Sequence, residues 1–133
     1  MSIPYKTVLR KNPLDLSSPG KFYPQPVYGK RMEIVDLTDE IDRRSGVNRI
    51  DIIAVLEALT MVIPFYLASG NIVRLGEFGS FRMTLDSEGT PDEKDFVSAK
   101  ISGMRMRFLS GSEVKKVMKT VTFDKVGEPA VIK

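Results

Sequence analysis

The stretch from Gly70 to Leu85 (GNIVRLGEFGSFRMTL) constrains the fold more than any other part of the chain. Apolar and polar residues alternate on both sides of a glycine-bounded break, and this period of two is typical of half-buried strands. Glycine within a strand pattern marks a turn, a bulge or a close backbone approach. The stretch therefore predicts two strands joined by a tight turn at Gly76–Glu77, with Phe78 and Phe81 in one core. By itself this pattern also fits a hairpin in an ordinary α+β domain.

Two helical patterns precede this stretch. The first spaces apolar residues at helical intervals over 34–41, places acidic residues on its outer face and ends at Gly46, a typical C-cap residue. The second begins after Asn48, a good N-cap, and continues as a broad apolar stripe to Gly70. We expect Pro64 to kink this helix or to break its last turn.

The apolar stripe of the second helix is wider than a two-layer monomer of 133 residues needs. Large apolar surfaces that a domain cannot cover by itself usually mark contacts with another protein. We therefore predict a homodimer in which a second copy of the chain buries part of this helix.

A second hairpin strand follows the glycine-containing stretch after an acidic connection. In the strand AKISGMRMRFL, methionine and phenylalanine residues alternate with Arg105 and Arg107, so that one face is apolar and the other basic. The alternation in the preceding strand places Arg82 on the same outer face. This pattern fits a basic ligand-binding face and an ordinary solvated sheet face equally well.

The pattern S-x-x-E at Ser110 and Glu113 predicts a capping box at the start of a last helix. Its inward-facing residues would be Val114, Val117, Met118 and Val121.

Residues 11–30 contain four prolines, which exclude a helix and any long central strand there. We expect an extended N-terminal arm at 1–32, in which residues 3–10 could form a short edge strand. The α+β domain would occupy residues 33–121. A C-terminal tail at 122–133 would be disordered or would add a strand.

Composition excludes several kinds of chemistry. The chain has no cysteine and no histidine, which rules out disulfides, Cys/His zinc sites and catalysis by cysteine or imidazole. No phosphate-binding glycine loop with the lysine of a P-loop is present. We expect no cofactor, no metal, no small-molecule substrate and no enzymatic activity. We also expect no membrane contact, since no apolar run approaches the length of a bilayer span, and a cytoplasmic location.

Charge is unevenly distributed although the net charge is only +3. Basic residues prevail in 1–32 and 100–133, whereas acidic residues prevail in 33–69 and 86–99. Segregated charge of this kind favours a polyanionic partner over a neutral one.

The order of helix, long helix, glycine-rich strand, connection, strand and short helix resembles the HU/IHF family of bacterial histone-like DNA-binding proteins. The segment at Phe78–Phe81 is similar to the family's G-F-G-[TS]-F turn, with Glu77 in place of the first glycine. Phe108 and Gly111 match its Phe-x-Pro-Gly-Lys junction. The N-terminal extension is similar to that of a divergent HU-related group. The resemblance implies an α+β, IHF-like fold in which a helical hairpin packs on a β-sheet with a β-arm, as an intertwined homodimer.

The resemblance also implies a nucleoid-associated, architectural protein that binds double-stranded DNA with little sequence preference. Phosphates would be contacted by basic residues of the sheet, the N-terminal arm and the last helix: Arg74, Arg82, Lys100, Arg105, Arg107, Lys6, Arg10, Lys11 and Lys115. The connection at 86–99 departs from the family pattern, because it is short and acidic where the family's arm is long and basic. The alternative is therefore a dimeric HU-fold protein-interaction module that has lost DNA binding.

Overall fold

Between residues 34 and 118, helices and strands follow one another in the predicted order. The computed structural model describes residues 1–127 and the backbone of residues 130–132. Its elements are β1 (Ser2–Arg10), β2 (Lys21–Pro26), α1 (Ile34–Ser45), α2 (Arg49–Ala68), β3 (Val73–Leu75), β4 (Gly79–Ser87), β5 (Ile101–Ser110), α3 (Ser112–Met118), β6 (Thr122–Lys125) and β7 (Ala130–Ile132). They form two units: unit 1 is Met1–Arg31 with the described residues from Val117 onwards, and unit 2 is Met32–Lys116.

The two helices of unit 2 begin and end at the residues that the sequence marks. Gly46 closes α1 in the left-handed conformation, with φ 66°, which favours glycine. The side chain of Asn48 accepts a hydrogen bond from the Ile50 amide at 2.9 Å and caps α2. The break expected at Pro64 does not occur, because α2 continues to Ala68.

The predicted turn at Gly76–Glu77 is confirmed, and it joins β3 and β4 in an antiparallel sheet with strand order β3-β4-β5. The Phe78 amide donates to the Leu75 carbonyl at 3.0 Å. The rings of Phe78 and Phe81 both pack against Phe108, with centroid distances of 5.1 and 5.0 Å. The predicted proximity of Phe78 and Phe81 is confirmed, and the structure adds Phe108 to their cluster on one face of the sheet.

The start of α3 is built by the turn between β3 and β4 and not by the predicted serine cap. Ser110 ends β5, so its pairing with Glu113 as a capping box is wrong. The Gly111 amide donates to the Phe78 carbonyl at 2.8 Å and the Glu113 amide to the Glu77 carbonyl at 3.1 Å. A Cβ atom at Gly111 would overlap the Glu77 carbonyl oxygen, so this close approach requires glycine.

The inward orientation predicted for α3 holds only in part. Val114 and Val121 are half-buried. Val117 is 50% exposed and Met118 62% exposed.

The predicted N-terminal edge strand is wrong. β1 is nine residues long and lies inside a sheet, where it pairs with β2 on one side and with β6 and β7 on the other. Two of the prolines, Pro24 and Pro26, are tolerated because they lie in β2, an outer strand. Their spacing of two residues turns both missing N–H groups to the same side of the strand. The tail does add strands, β6 and β7, and both run parallel to β1.

Few side chains of unit 2 are fully buried. Ile52 and Leu67 of α2 are 5% and 2% exposed, and Thr38 of α1 is buried while its hydroxyl donates to the Ile34 carbonyl. In contrast, the large apolar residues of a second face of α2 stay exposed: Ile50, Val55, Met61, Val62, Phe65 and Tyr66.

One sequence-based expectation about α2 needs correction. By length and composition this helix is long and apolar enough to cross a membrane, with a mean hydropathy of 2.0 over its most apolar 18 residues. The expectation that no apolar run approaches this length was therefore wrong, because Asp51 and Glu57 lower the average too little. Helices that pack in the core of a soluble protein can be equally long and apolar.

Candidate nucleic-acid interface

The register of the β3-β4-β5 sheet brings four arginines to one face. Arg74 lies opposite Ser80, Arg82 opposite Arg107, and Thr84 opposite Arg105. Successive side chains of a strand point to opposite faces, so these positions share one face and the phenylalanine cluster lies on the other. We call the side that carries Arg74, Arg82, Arg105 and Arg107 the basic face. The register thus places the predicted hairpin arginines on one face, and ligand binding by this face stays a prediction.

At the centre of the basic face, Arg82 and Arg107 are direct cross-strand neighbours. Like charges in this position destabilise a sheet. Neither arginine forms a salt bridge with a residue that the structure describes. The Nε atom of Arg82 is shielded from solvent and has no hydrogen-bond partner in the described part of the chain. The arrangement is electrostatically unfavourable in the protein alone, and a bound anion would relieve it.

The other two arginines of the basic face are partly neutralised. Arg105 donates from Nε and Nη2 to the Asp86 carboxylate, with a shortest distance of 2.7 Å. These hydrogen bonds lower the pKa of Asp86 below its ordinary value and raise that of Arg105. Arg74 lies 3.6 Å from Glu77 and donates to the Gly76 carbonyl. Sequence reasoning treated Asp86 as a free repulsive charge and missed its pairing with Arg105, which needs the diagonal geometry of the folded hairpin.

The remaining predicted residues lie elsewhere. Lys100 ends a short 3-10 turn before β5, and Lys115 lies in α3. Lys6 and Arg10 belong to β1, and Lys11 follows it directly. These last three are residues of unit 1.

One basic residue of unit 1 escaped sequence reasoning. Lys21, the first residue of β2, lies directly opposite Arg10 in the sheet. The proline-rich segment around it predicted no strand, and therefore no strand partner for Arg10. The spacing of Pro24 and Pro26 by two residues, after two aromatic residues, was the available signal for an outer strand.

The connection between β4 and β5 carries acidic residues over 86–95. Among the residues that the structure describes, no group of three or more His, Cys, Asp or Glu side chains is placed to hold a metal ion. The expectations of no metal, no cofactor and no enzymatic activity stay predictions.

Sequence comparison assigns the family. The family model HU-HIG, described as an HU domain fused to a wHTH, Ig or glycine-rich motif, matches residues 1–125. The chain belongs to the HU-HIG family. No curated protein matches it.

Two solved structures are similar in fold to this HU-HIG chain. The first was solved as a candidate bacterial DNA-binding protein from Bacteroides vulgatus ATCC 8482, with 14% identity and a TM-score of 0.63 over 96% of this chain. This HU-HIG chain covers 49% of that protein, about half its length. The second is HU from Anabaena in a cocrystal with DNA, with 21% identity and a TM-score of 0.52. That match covers 67% of this chain and 99% of the other. These likenesses confirm the predicted α+β, HU-like fold.

Proposed function

We propose that this HU-HIG chain is an architectural protein that binds double-stranded DNA largely without sequence preference, through phosphate contacts on its basic face. The main support for this proposal is the cross-strand pair of Arg82 and Arg107 at the centre of that face, which no acidic side chain among the described residues neutralises. A sheet that keeps two arginines side by side gives up stability that a polyanion restores. The family assignment and the fold it shares with a DNA-bound HU support this proposal.

A homodimer is part of the proposal. In a single copy of unit 2, the apolar face of the sheet is left open beside the exposed face of α2: Leu85, Met104 and Met106 are 64%, 62% and 57% exposed. Exposed apolar surface on both layers is more than a stable small domain leaves in water. A second copy of the chain would cover this apolar surface, and the resulting dimer would carry two basic faces. The proposed location is the nucleoid, in the cytoplasm, where the DNA of a bacterial cell lies.

The test is a fluorescence-anisotropy titration against a duplex of about 30 base pairs with unrelated sequence, at several salt concentrations. Binding through phosphates weakens steeply with salt, with a log–log slope that changes by about 0.9 for each phosphate contact. The variant Arg82→Gln/Arg107→Gln should lower the affinity and flatten this slope.

A matched control is Arg43→Gln/Arg44→Gln, which removes the same charge from the end of α1, where both arginines pair with Glu40. It should leave the slope nearly unchanged. An equal effect of both variants would mean that net charge alone, and not the basic face, drives binding.

A second candidate function is a protein-interaction module that keeps the fold without binding DNA. The pairing of Asp86 with Arg105 and the acidic connection favour it, since both weaken the attraction for phosphates. Absence of duplex binding at low salt, together with an intact dimer, would place this function first.

A further inference from the structure

Unit 1 contains a basic cleft of about 600 Å³ at the loop between β1 and β2. Its lining includes three cationic side chains and one aromatic ring: Arg10, Lys11, Lys21 and Tyr23. Among the residues that the structure describes, no acidic side chain lines it. Binding sites for small organic groups fall in this range of volume.

The cationic side chains of the cleft lie where they repel one another. Arg10 and Lys21 lie directly opposite each other across β1 and β2, which destabilises a sheet. Within the described part of the chain, neither they nor Lys11 form a salt bridge. The guanidinium of Arg10 lies over the ring of Tyr23, 5.8 Å from its centroid, so that one ring face packs on a cation and a base would contact the other face. The described residues that line the cleft therefore supply no negative charge to balance these cations, and an anionic ligand would do so.

The one carboxylate in the loop between β1 and β2 is engaged within the loop itself. Asp15 accepts hydrogen bonds from the Ser17 hydroxyl at 2.7 Å and from the Ser17 amide at 3.2 Å. These contacts lower the pKa of Asp15 and hold the loop in a turn.

Close backbone packing shapes the same loop. A Cβ atom at Gly20 would lie 2.7 Å from the Arg10 carbonyl oxygen, so the two ends of the loop meet tightly there. The cleft is therefore formed before any ligand binds.

We propose that the cleft binds one unpaired nucleotide of a nucleic-acid strand, as a second site apart from the basic face. Arg10, Lys11 and Lys21 would contact the phosphate, and Tyr23, which is 43% exposed, would contact the base. The combination of cations with an aromatic ring suits a single strand, whose bases are free to stack on the ring. In a duplex the bases stack on each other, so their faces are not available to the ring. This inference extends the proposed function, since it adds a single-stranded ligand to a duplex-binding protein.

The test measures binding of a fluorescent seven-nucleotide thymidine oligomer to the full chain and to three variants. Tyr23→Leu keeps apolar bulk but removes the aromatic face, and it should weaken binding about 5-fold to 100-fold, the range measured for stacking one base. Lys11→Gln/Lys21→Gln should weaken binding and flatten its salt dependence, by at most the slope of about 0.7 that one phosphate contributes on a single strand. It leaves the contact between Arg10 and Tyr23 in place, so it tests the cations without disturbing that packing.

The third variant, Arg82→Gln/Arg107→Gln, separates this inference from the proposed function. It should weaken duplex binding and leave oligomer binding unchanged. The nucleotide site is overturned if the oligomer does not bind, or if it binds Tyr23→Leu as tightly as the natural chain. The duplex titration tests the basic face separately, so either proposal can fail without the other. If the lysine variant alone loses affinity, the cleft is a plain phosphate site and the inference is wrong.

Discussion

Replacing Arg107 with glutamate should have opposite effects on the stability of the sheet and on DNA binding. Arg107 is exposed and lies directly opposite the half-buried Arg82 on β4. The substitution turns a repulsive cross-strand pair into an attractive one. It also places a carboxylate at the point where we propose that phosphates bind.

The magnitude follows from Coulomb's law in a solvent-like medium. Two unit charges roughly 7 Å apart repel by about 0.6 kcal/mol in water. Attraction of the same size replaces this repulsion in Arg107→Glu, so we expect a total gain of about 1 kcal/mol, near the upper end for exposed pairs. For a chain of this size, that gain raises the melting temperature by roughly 3–5 °C.

The assay is thermal unfolding at one protein concentration, in low salt and in about 1 M salt, where the screening length falls to about 3 Å. Arg107→Gln is the matched control, since it removes the repulsion without adding attraction. Stability should rise from arginine through glutamine to glutamate, and DNA affinity should fall in the same order. If the glutamate variant melts below the glutamine variant at low salt, the charge pair does not govern stability and the reasoning is refuted.

Four further changes test other parts of the structure. Asp86→Asn should free Arg105 and strengthen duplex binding, with a salt slope steeper by about 1 measured by anisotropy. Gly111→Ala should destabilise the chain by about 1–3 kcal/mol in urea unfolding, since the new methyl group meets backbone. Met61→Glu, at a position 70% exposed in one copy, should convert a dimer into monomers in equilibrium sedimentation, because a dimer would bury the charge. Glu40→Gln should flatten the loss of stability in acid: hydrogen bonds from Arg44 and Arg43 lower the pKa of Glu40, so its contribution is present above about pH 4.3 and disappears as the pH falls through the lowered value.

Each of these changes has a control or a contrary outcome. Glu93→Gln removes one acidic charge from the connection without freeing Arg105, so an equal gain in affinity would contradict the pairing argument. Gly103→Ala adds a methyl group with nothing within 4 Å and should be tolerated. Helix propensities of methionine and glutamate are similar, so Met61→Glu tests association and not helix formation. An acid unfolding curve of Glu40→Gln that matches the natural chain would show that Glu40 does not contribute.

The helices and the central hairpin were predictable because their signals are local. Gly46 and Asn48 mark helix ends through the backbone conformation and the side-chain hydrogen bond of a single residue. Alternation around Arg105 predicted the basic face, since the period of a strand depends only on its own sequence.

Other features depended on the pairing of distant segments. The interior position of β1 follows from its contacts with β2 on one side and with the C-terminal strands on the other, and no local pattern reports such partners. The start of α3 was misplaced for the same reason, because its first amide groups bond to a turn more than 30 residues earlier in the chain.

The amino-acid sequence was enough to predict the fold class, the limits of the two long helices and the arginines that share one sheet face. Which cations of the chain are paired and which are not depends on the pairing of strands. Arg105 is neutralised by Asp86 across the hairpin, whereas Arg82 faces Arg107 and Arg10 faces Lys21. The physical reason is that charge interactions act over a few ångströms in space, and the register of strands sets those distances.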